Sequence, residues 1–227
     1  MNTMVKVARY NLMRPANYVL LPWILPLAFA VGAATVGRQP GHDASQYLLT
    51  FFLFFAIQAM QTIGGLLPFG LTLGASRRSF YSGTALFGLA LALVSGLVLT
   101  ALQAIERATG GWGLSLHFFR VPYLLDGPWY ATWLTSSVGL FALFVYGMWL
   151  GIVYYRFGPL GTVVFIAAQA LVVVAVAVAL SLGHWHVFST AGGSSPHLPA
   201  LGLTGIVAAL AVLVLAGGHA TARRATV

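Results

Sequence analysis

Polar side chains are nearly absent from six long runs of this chain and crowd into the short stretches between them. The runs cover residues 19–36, 48–73, 84–102, 130–154, 160–182 and 200–217. Crossing a bilayer as a helix takes about 20 mostly apolar residues. The runs do not alternate apolar and polar residues, as the strands of a membrane barrel would. The pattern therefore predicts an all-α integral membrane protein with six transmembrane helices, residues 1–227 forming a single transmembrane domain.

Composition supports this reading. Hydrophobic residues make up 59% of the 227 residues and charged ones only 6%, whereas a water-soluble domain is about a quarter charged. The net charge of +8 could suit a nucleic-acid surface. The basic residues, however, stand singly or in pairs between apolar runs, so the expectation is a lipid bilayer and no nucleic acid. The chain has no cysteine, which removes disulfides, thiolate metal sites and cysteine nucleophiles. The basic N-terminal stretch from Lys6 to Arg14 and the long run after it do not read as a cleavable signal, so the first span is expected to be retained.

The cations set the orientation. Lys6, Arg9, Arg14, Arg77, Arg78, Arg156, Arg223 and Arg224 fall on one side of a six-span arrangement. Arg38, Arg107 and Arg120 fall on the other, with all three acidic residues, Asp43, Glu106 and Asp126. The richly basic side is cytoplasmic by the positive-inside rule, which puts both termini in the cytoplasm. Tyr18, Trp129, Tyr130, Tyr154 and Tyr155 lie at span ends, where aromatic rings anchor at the interface.

Before the first span, Met1, Met4, Val5, Ala8 and Leu12 recur at helical spacing, with Asn2, Lys6 and Arg9 opposite and Pro15 ending the pattern. Residues 1–15 read as an amphipathic interfacial helix; a frayed basic tail that only sets topology is the plainer reading. In the second span Gln58 and Gln61 share a helix face. They read either as interhelical hydrogen-bonding groups or, with Gln169 of the fifth span, as polar points on a translocation path. Gly147 and Gly151 form a GxxxG pair that permits close packing.

Three connecting segments stand out. Residues 73–83 read Leu-Gly-Ala-Ser-Arg-Arg-Ser-Phe-Tyr-Ser-Gly. Ser76 or Ser79 can cap a short helix there. Orientation needs Arg77 and Arg78 but not Phe80 and Tyr81, and aromatics beside arginine suit a protein interface; interfacial anchoring is the alternative. Residues 103–129 are too apolar for a solvated loop and too broken for a span, so they are expected to lie on the outer leaflet or over the mouth of a pathway. His184, His186 and His197 lie in the Gly/Ser-rich stretch 183–199. No acidic partner stands near them, so no metal site is expected.

No Asp, Glu, Lys or Arg falls inside the six runs, which argues against an ion-coupled transporter. No HExxH and no GxxxxGK[ST] occurs, so neither a zinc protease nor a P-loop ATPase is expected in this chain. No catalytic residues are expected and the chain is not expected to be an enzyme. Transport against a gradient would draw its energy from another subunit.

The basic N-terminus (Lys-Val-Ala-Arg-Tyr-Asn-Leu-Met-Arg, 6–14), the six spans, the cytoplasmic ends and the segment 73–83 together resemble the ABC-2 type permeases, the membrane subunits of many bacterial exporters. The resemblance covers nearly the whole chain. It implies a cell-membrane permease exporting a hydrophobic or amphipathic substrate, with residues 2–14 as an elbow helix. Residues 74–82 would be a coupling helix inserted into a separate ABC ATPase, with Arg77, Arg78, Ser79, Phe80 and Tyr81 at the contact. ATP and Mg would sit on that ATPase, with no cofactor in this chain, and two permease chains, identical or different, would pair. The family's re-entrant helices commonly lie between spans five and six; here the apolar outer segment lies between three and four. A non-transporting membrane scaffold, assembly or immunity protein is the alternative.

Overall fold

A computed structural model of the protein describes residues 46–72, 76–111, 119, 128–182 and 200–224, together with Trp23, Ile24, Ala28 and Gly32. The interfacial helix 1–15, most of the first span, residues 73–75, most of 103–129 and the histidine-bearing stretch 183–199 lie outside the described residues. The described residues are all-helical. The helices are α1 (Gln46–Thr72), α2 (Arg77–Ala108), α3 (Trp129–Leu182) and α4 (Ala200–Arg224). Trp23, Ile24, Ala28 and Gly32 are helical as well, and the Trp23 ring lies 4.7 Å from that of Phe51.

The long helix α3 folds back on itself. Trp149 packs edge-on against Phe165 with ring centroids 5.0 Å apart, and the Tyr146 hydroxyl donates to Gln169 Oε1. In a continuous helix these pairs would stand about 24 Å and about 35 Å apart. The reversal occurs at Gly158, whose φ of 70° and ψ of −172° are open essentially to glycine alone. Pro159 follows at the first position of the second arm, where its missing N–H costs nothing. The Thr162 hydroxyl donates to the Gly158 carbonyl at 3.0 Å. The two arms, α3a (129–157) and α3b (159–182), match the fourth and fifth apolar runs, and the expected loop at Arg156 is this tight turn.

Close contacts fix the register of the remaining helices. A Cβ on Gly147 would strike the Ala56 backbone, one on Gly151 would lie 2.8 Å from Ile63 Cβ, and one on Gly64 would lie 3.6 Å from the Tyr154 ring. The two sequences advance together, so α1 runs parallel to α3a. Gly96 faces Ser137 and Gly88 faces Phe144, so α2 runs antiparallel to α3a. On α4, Thr204 shares a 2.9 Å hydrogen bond with Thr135, and the carbonyl of Leu215 accepts from the Tyr81 hydroxyl at 3.3 Å. Helices α1, α2, α3a, α3b and α4 therefore alternate in direction. The exposed Arg78 and Arg156 fall at one end of the bundle, and Glu106, Arg107 and Trp129 at the other.

The core is two matched stripes. Phe51, Phe55, Ala59 and Ile63 recur every four residues on α1, and Leu140, Phe144, Met148 and Ile152 do the same on α3a; all are buried. Interdigitated four-residue ridges are the commonest way helices pack. The outward faces are equally apolar: Val94, Leu97, Val163, Val164, Leu171 and Leu213 are each more than half exposed. Two stretches, Arg78–Ala108 and Trp129–Val172, are long and apolar enough to cross a membrane.

The tight α1–α3a contact yields a prediction. Gly147→Ala places a methyl against backbone, which cannot rotate away as a side chain can, and should destabilise the purified protein by about 1–3 kcal/mol, the usual overpacking range. Gly205, with nothing within 4 Å of its would-be Cβ, is the control. Thermal unfolding in mild detergent should show a lowered midpoint for the first variant and an unchanged or raised one for Gly205→Ala.

Candidate functional site: a basic helix tip and a buried polar seam

The segment singled out by its arginines is the first turn and a half of α2. Ser76 caps the helix: its side chain accepts from the Ser79 N–H at 3.1 Å and its hydroxyl donates to Ser79 Oγ at 2.8 Å. The Phe80 N–H reaches the Ser76 carbonyl at 2.9 Å. Arg77, Arg78 and Ser79 thus begin a helix that continues unbroken to Ala108, instead of forming a separate short helix. Arg78 is exposed and Ser79 partly so, but Phe80 and Tyr81 are buried in the core. Tyr81 reaches across to α4, where it bonds the Leu215 carbonyl and lies against Gly218. The aromatics that the resemblance assigned to partner contact are therefore turned into the bundle. The reason is geometric: positions 80 and 81 lie on the face that continues through Thr84, Phe87 and Gly88, all buried.

The three glutamines have three different environments. Gln58 is buried in α1, and its carbonyl accepts from the Thr62 hydroxyl at 2.8 Å. Gln61, three residues on, is exposed. Gln169 is partly buried and accepts from Tyr146 within the α3 hairpin. Tyr146 and Gln169 line a groove of about 680 Å³ whose other lining residues, among them Phe165, Ile166 and Val172, are apolar.

Polar side chains converge instead between α2 and α3a, toward the end away from Arg78. On α2, Gly96, Thr100, Gln103 and Glu106 follow one another at spacings of three and four, and all are buried. On α3a, Thr132, Ser136 and Ser137 are buried. The Thr100 hydroxyl returns to the Gly96 carbonyl at 2.8 Å. The Ser136 and Ser137 hydroxyls are buried with no partner, a cost that a helix interface carries only where something else is gained. Glu106 Oε2 accepts the Phe119 N–H at 3.0 Å, pinning the chain beyond α2 back onto the helix. The seam opens into a cleft of about 410 Å³ lined by Thr100, Gln103, Ala104, Arg107, Trp129 and Thr132, with Ala108 at its edge.

Apolar content hid this seam in the sequence. The hydropathy of the third run falls off at Leu102, so Glu106 and Arg107 look like loop residues. Helical periodicity carries on through Thr100, Gln103 and Glu106, and that spacing was the signal that the helix continues. The histidines His184, His186 and His197 lie outside the described residues. Among the described residues, no group of three His, Cys, Asp or Glu side chains is placed to hold a metal. Comparison with protein families, curated proteins and solved structures returns no match for this chain.

Glu106 offers a second prediction. Glu106→Gln keeps an acceptor for the Phe119 N–H, whereas Glu106→Leu orphans it. The Leu variant should be less stable than the Gln variant by about 1–3 kcal/mol, the cost of an unsatisfied buried group. Detergent-solubilised thermal denaturation of the pair measures the difference.

Proposed function

We propose that the chain is the membrane-spanning permease subunit of an ATP-driven exporter of the ABC-2 type. In this reading it crosses a bacterial cell membrane six times, with both ends in the cytoplasm. A separate ATPase carries ATP and Mg, a second permease chain completes the pore, and the cargo is hydrophobic or amphipathic. The exposed Val and Leu side chains on α2, α3b and α4 suit lipid, because in water an apolar surface of that extent drives association. The alternation of helix direction, with Arg78 and Arg156 at one end, suits the positive-inside arrangement.

The observation that carries the proposal is the continuity of α2. One rigid helix joins an exposed basic tip, at Arg78, to the polar seam at Glu106. Tyr81, buried beside Phe80 just behind the tip, clasps α4 through Leu215 and Gly218. A push on the tip by an ATPase is thereby passed to α2 and α4 together. The contact surface is Arg78 and its neighbours Arg77 and Ser79, with Phe80 and Tyr81 as the wedge that transmits the movement. Gln58 and Gln169 act in this account as separate helix-packing groups, and the exposed Gln61 stands apart from both, so the three form no common path. The glycine-tight contacts of α3a with α1 and α2 equally suit a static scaffold, assembly or immunity protein, which would need no ATPase.

Purification of the tagged protein from its native membranes, with mass spectrometry of what accompanies it, separates the two readings. A stoichiometric P-loop ATPase is expected, lost when Arg77 and Arg78 are both replaced by Ala. The Tyr81→Phe variant should retain the ATPase but transport less, since it loses the bond to the Leu215 carbonyl of α4. A protein that elutes alone, with ATPases present in the input, overturns the permease reading.

A further inference from the structure

The two arms of α3 are joined like a ladder with two rungs. Trp149 packs on Phe165, and about one turn further from the hairpin tip the Tyr146 hydroxyl donates to Gln169 Oε1. This second rung lies in the groove of about 680 Å³ that Tyr146, Phe165, Ile166, Gln169 and Val172 help to line. Small-molecule sites span about 300–1,000 Å³, so the groove has room for one. Ile166 and Val172 are exposed, and Tyr146, Phe165 and Gln169 are partly buried.

The chemistry of the groove turns on Gln169. Its carbonyl oxygen is spent on Tyr146. A primary amide carries two further donors on Nε2, and nothing among the described residues accepts from them. Counted from Pro159 at the hairpin tip, Gln169 stands about 15 Å along α3b, half-way across a hydrocarbon core of about 30 Å. Water and the oxygens of lipid headgroups and esters lie at the edges of that core, and acyl chains accept no hydrogen bond. A donor held at this depth without an acceptor is costly, so an occupant that brings an acceptor is favoured over lipid. Among the described residues no charged side chain lines the groove, and an ion at mid-membrane depth needs one. The acceptor is therefore neutral and set within an apolar body.

We propose that the groove between the arms of α3 binds an apolar molecule through a carbonyl embedded in its hydrocarbon body, a ketone or quinone. The carbonyl oxygen accepts from Gln169 Nε2, and the apolar body lies against Phe165 and Ile166. Tyr146 is a positioning residue: it holds the Gln169 oxygen and so fixes which end of the amide is left for the occupant. The proposal rests on the membrane placement and narrows the hydrophobic cargo assigned to the permease; binding itself needs no ATPase.

The test uses the full chain in nanodiscs of zwitterionic lipid, with tritiated fluorenone and tritiated fluorene as probes. The two share one planar skeleton, and fluorene has a methylene where fluorenone has the carbonyl. Protein-free discs supply the partition blank. Saturable binding of fluorenone is expected, about fivefold tighter than that of fluorene, the worth of one hydrogen bond. The preference should vanish in Gln169→Leu and persist in Gln61→Leu, which removes an exposed amide from α1. Tyr146→Phe should keep a smaller preference, since the amide remains but is no longer held. The carbonyl stretch of bound fluorenone should move to lower frequency in the wild-type protein and not in Gln169→Leu. The comparison of the two probes on the wild-type protein decides even where Gln169→Leu fails to fold. Absent saturable binding, equal binding of ketone and hydrocarbon, or a preference that survives Gln169→Leu overturns the proposal. So does a dimer in mild detergent that Gln169→Leu dissociates and that binds neither probe, which assigns the amide to a second copy of the chain. Ketone-selective binding in a protein that copurifies with no ATPase removes the ATP-driven reading and leaves the carbonyl site standing.

Discussion

Everything in this bundle hangs on how closely α1 and α3a approach. Close backbone approach multiplies van der Waals contacts, each small and together large. Gly147 and Gly151 remove the side chains that would hold the backbones apart, and Ala56, Met60 and Ile63 fill the space. The approach lets the stripe Phe51, Phe55, Ala59 and Ile63 meet Leu140, Phe144, Met148 and Ile152. With that register set, α2 is docked antiparallel through Gly88 and Gly96, and α4 is tied at its two ends by Thr204 and Leu215.

Polar groups are spent sparingly. Hydroxyls such as Thr62, Ser82 and Thr100 are returned to carbonyls on their own helix, which silences them without tying helices together. Thr135 with Thr204, Tyr81 with Leu215 and Tyr146 with Gln169 do bridge helices, while Ser136 and Ser137, between α2 and α3a, and Thr84 nearer the start of α2 are buried without partners. A seam that leaves hydroxyls unsatisfied is less stable than an apolar one of the same shape. It lies toward the C-terminal end of α2, the longest unbroken helix.

Helix character, and much of where the helices lie, was legible in the sequence because long apolar runs without strand-like alternation favour helices. The division of α3 into two arms was legible as well, since Arg156, Gly158 and Pro159 interrupt an otherwise continuous run. The close-packing role of Gly147 and Gly151 followed from their spacing. Two things did not follow. Hydropathy stops at the first charges, so it ended α2 before Glu106 although the helical face continued. Composition also cannot say which way an aromatic turns: Phe80 and Tyr81 beside two arginines read as a surface, yet their angular position on α2 carries them into the core with Phe87. Both facts belong to the three-dimensional phase of the helix, which appears only once its first residue is fixed by the Ser76 cap.

The account's central claim is that the two ends of the bundle face opposite sides of a membrane. The chain has no cysteine, so single substitutions report directly. Arg156→Cys at the α3 turn and Thr109→Cys at the end of α2 should be treated in intact cells and in inverted vesicles with a membrane-impermeant maleimide. The account predicts labelling of Thr109→Cys only from outside and of Arg156→Cys only in inverted vesicles. Labelling of both from the same side, or recovery of the protein in the soluble fraction, would contradict it.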